Sequence, residues 1–170
     1  MYTTLQNPWI DTFASKSSQN PQTEATFQSN KKWVKAEKLL ETQGRLVALV
    51  RQSDLTNPPL MCHYRAIIKE IRFSSSFRNV SDKEVWIRAS LTLQKEWIEE
   101  HYDSKKYDSW EEQFKDWELG DRAQTYFTLT DLSKLEPSFA ITDLKKASNG
   151  QPLAPNFERG YSICSLPEHL

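Results

Sequence analysis

Residues able to act as nucleophiles, bases or metal ligands are scattered along this chain. The three histidines are His63, His101 and His169, and the two cysteines are Cys62 and Cys164. No GxSxG, P-loop, GxGxxG or CxxC motif joins them, and a zinc site needs ligands at short, regular spacing. The acidic runs EWIEEHYD and WEEQFKDWE are typical of solvated helix faces. The sequence therefore predicts a non-catalytic protein without a metal or another cofactor.

Three pairs of polar and aromatic residues are better suited to binding than to catalysis. They are Arg51 with Ser53, Trp86 with Arg88, and Arg159 with Tyr161. An aromatic ring beside a guanidinium and a hydroxyl group suits an unstacked base, because the ring stacks on its face and the polar groups read its edge. The alternative is that these arginines form surface salt bridges, which stabilise a fold little.

Aromatic side chains concentrate in two amphipathic segments. In NPWIDTF, Trp9 and Phe13 share one helix face, and in DSWEEQFKDWELGD the stripe Trp110, Phe114 and Trp117 follows the spacing i, i+4 and i+7. The first interpretation is that both clusters pack against a sheet, since aromatic residues dominate cores. The alternative is that they dock on a partner, because Trp and Phe anchor interfaces.

Length and charge restrict the class of protein. At 170 residues the chain is expected to form one domain that buries a core without disulfides. Because 22 Lys and Arg nearly balance 23 Asp and Glu, a nucleic acid would have to bind at a local basic patch. Two distant cysteines favour a reducing compartment, and no stretch approaches the ~20 apolar residues of a membrane span. We expect a cytoplasmic protein with no membrane partner.

Periodicity and turn residues divide the chain into a polar N-terminal arm, residues 1–29, and one α+β domain, residues 30–170. The arm is rich in Thr, Ser, Gln and Asn. Caps and apolar spacing predict helices at 30–44, 108–120 and 138–150, and strands at 45–51, 60–73, 84–94, 123–135 and 158–164. Trp86 and Arg88 would lie on the polar face of the third strand. This order favours a small, bent, mostly antiparallel barrel with short helices at its ends.

A series of strand, short helix, turn and strand occupies the C-terminal part of the chain. It consists of YFTLTDLSKLEP, DLKK, NGQPL and RGYSI, and it is preceded by RLVALVR, QSDLTN and PLMCHYRAIIKEIRF. Together these segments resemble PUA-like domains, in particular the EVE and ASCH groups and the base-reading domains of defence-associated, modification-dependent restriction systems. The resemblance covers residues 45–165. The N-terminal arm, the helix after it and the acidic Trp-rich insertion depart from the family pattern.

The resemblance implies a barrel of five or six strands with a pocket near its open end. In that family pattern, aromatic side chains hold a modified or flipped base in the pocket. The tryptophans offered for this role are Trp33, Trp86, Trp110 and Trp117. DNA or RNA would then be the partner.

Three functions remain as expectations. The leading one is a non-catalytic nucleic-acid recognition module that binds a modified or flipped base. The second is an adaptor whose N-terminal aromatic cluster and Trp-rich helix dock on a larger protein complex. The third is an ASCH-like amidohydrolase acting on a modified nucleoside, for which Lys69, Thr92 and Glu70 would have to converge in one pocket.

Overall fold

The computed structural model describes residues 1–5, 9–52, 59–157 and 161–167. The strands of this part of the chain are β1 (Tyr2–Leu5), β2 (Ala25–Ser29), β3 (Leu46–Gln52), β4 (Met61–Phe73), β5 (Thr125–Ala140) and β6 (Tyr161–Ser162). Its α-helices are α1 (Ile10–Gln19), α2 (Val34–Gln43), α3 (Val80–Ser90), α4 (Leu93–His101) and α5 (Trp110–Glu118).

The strands form one sheet in the order β2, β5, β4, β3, β1, β6. β1 and β3 run parallel, and the other neighbouring pairs are antiparallel. The predicted α+β class and the mostly antiparallel sheet are confirmed. Among the described residues β2 and β6 end the sheet, so it is open and is not closed into a barrel.

Helices α3 and α5 contact β2 through the side chains of its second and fourth residues. Thr26 Oγ1 donates a hydrogen bond to the carbonyl of Ser90 at the end of α3 (3.2 Å). Gln28 Nε2 donates to the carbonyl of Trp117 on α5 (2.8 Å). Thr26 and Gln28 alternate with Phe27 along β2, so these helices pack on the face of the sheet opposite to Phe27.

Residues 1–29, predicted as a polar arm, are built into the sheet and the core. β1 lies between β3 and β6, and β2 pairs along its whole length with β5. Trp9 and Phe13 are 3% and 0% exposed. The prediction of an arm is wrong because strands of four and five residues are too short to show alternation, and most polar side chains of α1 face solvent.

Residues 84–94, predicted as a strand, form the end of α3 and the start of α4. Asn79 caps α3, and its side chain accepts a hydrogen bond from the amide of Asp82 (2.8 Å). Ile87 and Leu91 are buried, four residues apart on the helix. The strand prediction is wrong because residues at i and i+4 also fit an alternating pattern, and the cap lies outside the alternating stretch.

Residues 138–150, predicted as a helix, end β5 and continue as a turn-rich segment. The amide of Lys146 donates to the carbonyl of Gln151 (2.8 Å), and Gly150 adopts the left-handed φ of 68° that this turn requires. Lys146 also forms an isolated β-bridge with Cys164. The helix prediction is wrong because the backbone here pairs with C-terminal residues and not with its own next turn.

Other predicted elements are confirmed. α2 ends at Gly44, which adopts the left-handed conformation of a helix-ending glycine. The pairing register between β4 and β5 shifts beside Lys69, where the sequence predicted a bend. Ser109 caps α5 by accepting a hydrogen bond from the amide of Glu112 (3.2 Å).

A row of aromatic rings joins the sheet to α1 and α2. Trp33 stacks on Phe127 of β5 with 4.2 Å between ring centroids, and Phe127 packs against Phe27 of β2 at 5.7 Å. Phe27 in turn stacks on Trp9 at 5.0 Å and lies 6.2 Å from Phe13. Since Phe27 and Phe127 are cross-strand neighbours, both helices pack on the same face of the sheet.

Phe13→Ala tests whether the first 29 residues belong to the folded domain. We expect the free energy of unfolding to fall by ~3–5 kcal/mol, because the lost ring is fully buried. Urea denaturation followed by circular dichroism measures the change. In the control Val80→Ala, at a side chain that is 63% exposed, the change should stay below ~0.5 kcal/mol. A Phe13→Ala protein as stable as its parent would mean that these residues form an arm after all.

Candidate functional site

A groove of about 680 Å³ lies between α2 and the C-terminal segment. This volume falls within the range of small-molecule and cofactor sites. Its walls combine lysines, hydroxyl groups, one aromatic ring and aliphatic side chains. The lining residues are Lys35, Lys38, Leu39, Thr42, Ala147, Ser148, Tyr161, Ser162 and Ile163.

One wall of the groove is a single face of α2. Lys35, Lys38, Leu39 and Thr42 follow the spacing i, i+3, i+4 and i+7, which places them in one row along a helix. The lysines and Thr42 are exposed, and Leu39 is half-buried. This face therefore presents two ammonium groups and, next to them, an aliphatic floor formed by Leu39.

The opposite wall is made from β6 and the turn-rich segment beside it. The amide of Ala147 donates to the carbonyl of Ile163 (2.9 Å), and the amide of Ser165 donates to the carbonyl of Lys145 (2.9 Å). These backbone hydrogen bonds fix the two stretches side by side. The turn that closes at Gly150 thus holds Ala147 and Ser148 at the rim of the groove.

Tyr161 joins the groove to the core. Its half-buried ring packs against Trp33 with 5.0 Å between centroids, and it lines the groove. Burial raises the pKa of the Tyr161 hydroxyl, and a hydrogen bond from the backbone amide of Lys35 opposes that shift. Tyr161 therefore stays a neutral phenol near pH 7 and offers a ring in a fixed place.

Two stretches of the chain carry net charges of opposite sign. Between residues 31 and 52 there are six basic and two acidic side chains, whereas residues 82–121 carry twelve acidic and six basic ones. Neither Lys35 nor Lys38 takes part in an ion pair within the described ranges. The groove thus carries a local positive charge that the net charge of −1 conceals.

The structure brings one of the predicted ligand-binding residues, Tyr161, to the groove. Trp33 is 1% exposed, so it supports Tyr161 from beneath and is not available for stacking on a ligand. Arg51 is 3% exposed and enclosed within β3. Ser53 and Arg159 lie outside the described residues.

Trp86 and Arg88 lie on α3 and not on a polar strand face, and neither lines the groove. The guanidinium of Arg72 lies over the Trp86 ring at 5.5 Å from its centroid. Arg88 pairs with Glu84, one turn earlier on α3, at 2.9 Å, and its guanidinium lies 4.7 Å from the Phe114 centroid. Both side chains therefore hold the helical layer together.

The residues predicted to dock on a partner are mostly buried. Trp9, Phe13 and Phe114 are at most 3% exposed, and Trp110 is half-buried. Trp117 differs, since 45% of it is exposed even though its indole N–H donates to the Tyr107 hydroxyl (3.0 Å). The stripe on α5 is thus mainly a packing surface, with one tryptophan at its solvent edge.

Two of the residues suggested for an amidohydrolase contact the same residue, Glu24, and none of the three lines the groove. Lys69 forms an ion pair with Glu24, and the Thr92 hydroxyl donates to the backbone carbonyl of the same Glu24. Glu70 follows Lys69 on β4, and both side chains are exposed. The pairing register between β4 and β5 shifts at these two residues, so the regular alternation of strand side chains does not apply to them.

Lys35, Lys38, Leu39 and Thr42 were missed as site residues in the sequence analysis. Their spacing in KKWVKAEKLLET was recognised as helical, but only its apolar face was interpreted. The signal that could have found them is the row on α2 in which two lysines precede a leucine and a threonine. Ala147 and Ser148, on the opposite wall of the groove, carried no comparable signal because they lie in the segment predicted as a helix.

Metal binding and membrane insertion find no support among the described residues. No three His, Cys, Asp or Glu side chains of these ranges lie close enough together to hold a metal ion. None of the helices in the same ranges has the length and apolar character needed to cross a membrane.

Comparison with known proteins returned no relative. No family model, no curated protein and no solved structure matches this chain. The structure therefore defines the class of the protein as an α+β domain with an open, mixed six-stranded sheet.

Acrylamide quenching of tryptophan fluorescence tests the placement of the aromatic residues. We expect Trp117→Phe to remove a larger part of the quenchable emission than Trp33→Phe does, because Trp117 is 45% exposed and Trp33 is 1% exposed. Both substitutions remove one of six tryptophans, so they are matched controls for each other. An equal loss of quenchable emission from both variants would contradict the buried position of Trp33.

Proposed function

We propose that this protein binds single-stranded nucleic acid in the groove between α2 and β6, without catalysis. A base packs against Tyr161 and the aliphatic floor, and Lys35 and Lys38 contact the neighbouring phosphates. The observation that carries this proposal is the combination, in one groove of nucleotide size, of an anchored aromatic ring with two lysines that form no ion pair in the described part of the chain.

The chemistry of the groove favours a nucleotide over other anionic ligands. Stacking of a base on one aromatic side chain contributes ~1–3 kcal/mol and tolerates any base, because every base has a π face. Ser148 and Ser162 add hydroxyl groups, which can donate hydrogen bonds to the edge of a base or accept hydrogen bonds from it. A small inorganic anion would leave Leu39 and Ile163 unused.

The open shape of the groove favours a base that is already unpaired. Flipping a base from a duplex costs a few kcal/mol. The net charge of −1 also gives no overall attraction for the many phosphates of a duplex. We therefore propose that the protein prefers single strands to duplexes. Modification of the bound base, which the sequence analysis predicted, would further increase the affinity. Membership of the PUA-like superfamily remains a prediction, while the sheet formed by the described residues is open and not closed into the barrel of that family.

One observation favours the adaptor function as a second candidate. Trp117 is exposed on the acidic side of the molecule, next to Lys115 and Asp116 on α5. An exposed tryptophan in a polar surround is typical of an interface anchor. A partner at this face would carry basic residues, because residues 82–121 are predominantly acidic.

Fluorescence anisotropy with labelled single-stranded DNA and RNA tests the nucleic-acid proposal. We expect the double variant Lys35→Glu with Lys38→Glu to bind at least tenfold more weakly, since two phosphate contacts become repulsive. The slope of log affinity against log salt should fall by roughly 1.4, because each phosphate contact on a single strand contributes about 0.7. Tyr161→Leu should weaken binding at every salt concentration without changing that slope.

The matched control is Lys105→Glu with Lys115→Glu, which alters the net charge equally on the acidic side of the molecule. Both control lysines are exposed and lie outside the groove. Their replacement should leave nucleic-acid affinity within about twofold. Equal weakening by both double variants would indicate nonspecific attraction, and no binding of any oligonucleotide by the parent protein would reject the proposal.

A further inference from the structure

A buried polar cluster joins the three helices α3, α4 and α5, which pack against the sheet. Glu118 at the end of α5 is 3% exposed, Gln94 on α4 is 8% exposed, and Lys83 on α3 is 5% exposed. Tyr126 of β5 lies beside them and is fully buried. A carboxyl group in such a place needs a partner for each of its oxygens.

Two acceptor atoms of this cluster have no hydrogen-bond donor among the described residues. Gln94 Nε2 donates to Glu118 Oε1. Within the described ranges, Glu118 Oε2 and Gln94 Oε1 are both buried and receive no hydrogen bond from the protein. An ionised carboxylate accepts hydrogen bonds only, so it cannot satisfy the Gln94 oxygen.

We propose that Glu118 is held as a neutral acid paired with Gln94, and that its ionisation loosens the layer formed by α3, α4 and α5. A carboxylic acid and a primary amide each offer one donor and one acceptor side by side. A proton on Glu118 Oε2 donates to Gln94 Oε1 while Gln94 Nε2 donates to Glu118 Oε1. One added proton thereby satisfies both of the remaining acceptors.

The charged groups around Glu118 do not supply an alternative partner. Lys83 Nζ donates to the backbone carbonyls of Leu119 (2.8 Å) and Gly120 (3.4 Å). The Tyr126 hydroxyl donates to the backbone carbonyl of Glu118 (3.0 Å) and not to its side chain. Burial lowers the pKa of Lys83, and the charges of Asp121 and Glu118 act in the opposite direction.

Burial of Glu118 supports the neutral state. Burial raises the pKa of Glu118 to about 7, although the Gln94 hydrogen bond and the Lys83 charge act in the opposite direction. Because this folded-state pKa lies above the ordinary 4.5, the folded protein holds a proton that the unfolded chain releases between pH 4.5 and 7. Stability from this group is therefore greatest in acid and is lost as pH rises towards 7.

Urea denaturation at pH 5, 6, 7 and 8 compares the parent protein with Glu118→Gln. Glutamine imitates the neutral acid because it keeps one donor and one acceptor at the same place. Relative to the variant, the unfolding equilibrium constant of the parent should rise by roughly tenfold per pH unit between pH 5 and 7 and then level off. At pH 8 the variant should be the more stable of the two.

Comparison with the variant separates Glu118 from other groups that titrate, including the Met1 amino group, whose pKa is lowered by burial. The matched control is Glu111→Gln, on the exposed face of the same helix, which should keep the parental pH dependence. Equal pH dependence in the parent and Glu118→Gln would overturn the proposal. So would a variant less stable than the parent at pH 8, since Lys83 would then be stabilising an ionised Glu118.

A second measurement works on the unaltered protein, in case Glu118→Gln does not fold. Infrared spectroscopy detects the C=O stretch of a neutral carboxylic acid, which exposed carboxylates lack at pH 6. We expect one such band at pH 6 and its loss by pH 9, with the fold retained at pH 6. No protonated-acid band at pH 6 would overturn the proposal without any variant.

Discussion

The stack of Trp33 on Phe127 is the contact on which both the core and the groove depend. The backbone amide of Trp33 donates to Thr125 Oγ1 (3.1 Å), and its indole N–H donates to Ser29 Oγ (3.2 Å). These bonds attach the start of α2 to the strands β5 and β2. Because Tyr161 packs on the same indole, the position of this ring also sets the distance between α2 and β6.

Sequence patterns located the elements whose signals are local. Gly44 marked the end of α2, Ser109 marked the start of α5, and the apolar run of β3 was recognised as a strand. Patterns failed where pairing partners lie far away in the chain. β1 owes its place to neighbours on β3 and β6, and the segment after β5 owes its shape to bridges with C-terminal residues. A short stretch of the sequence shows neither dependence.

The residues of the candidate site were likewise predictable only where their signal is local. Tyr161 was selected from the sequence because an aromatic ring followed an arginine and a glycine turn, and it lines the groove. Trp33 was selected as well, but an aromatic residue that begins a helix on a sheet is more often enclosed than exposed. Lys35 and Lys38 can be recognised as candidate binding residues only when the opposite wall of the groove is known, since two lysines on a helix are ordinary surface residues.

The position of β1 has a consequence for the order of folding. Tyr2 pairs with Leu49 on one side and Ser162 on the other, so the first strand in the chain is among the last to gain both neighbours. β3 and β4 pair across a short connection, whereas β5 reaches β4 only after the three helices α3, α4 and α5, and β1 meets β6 near the other end of the chain. Until β6 arrives, one backbone edge of β1 is open to other strands. Since the pairing of β1 with β6 closes the longest loop among the described strand pairs, we expect it to form last and to be the step most exposed to misassembly.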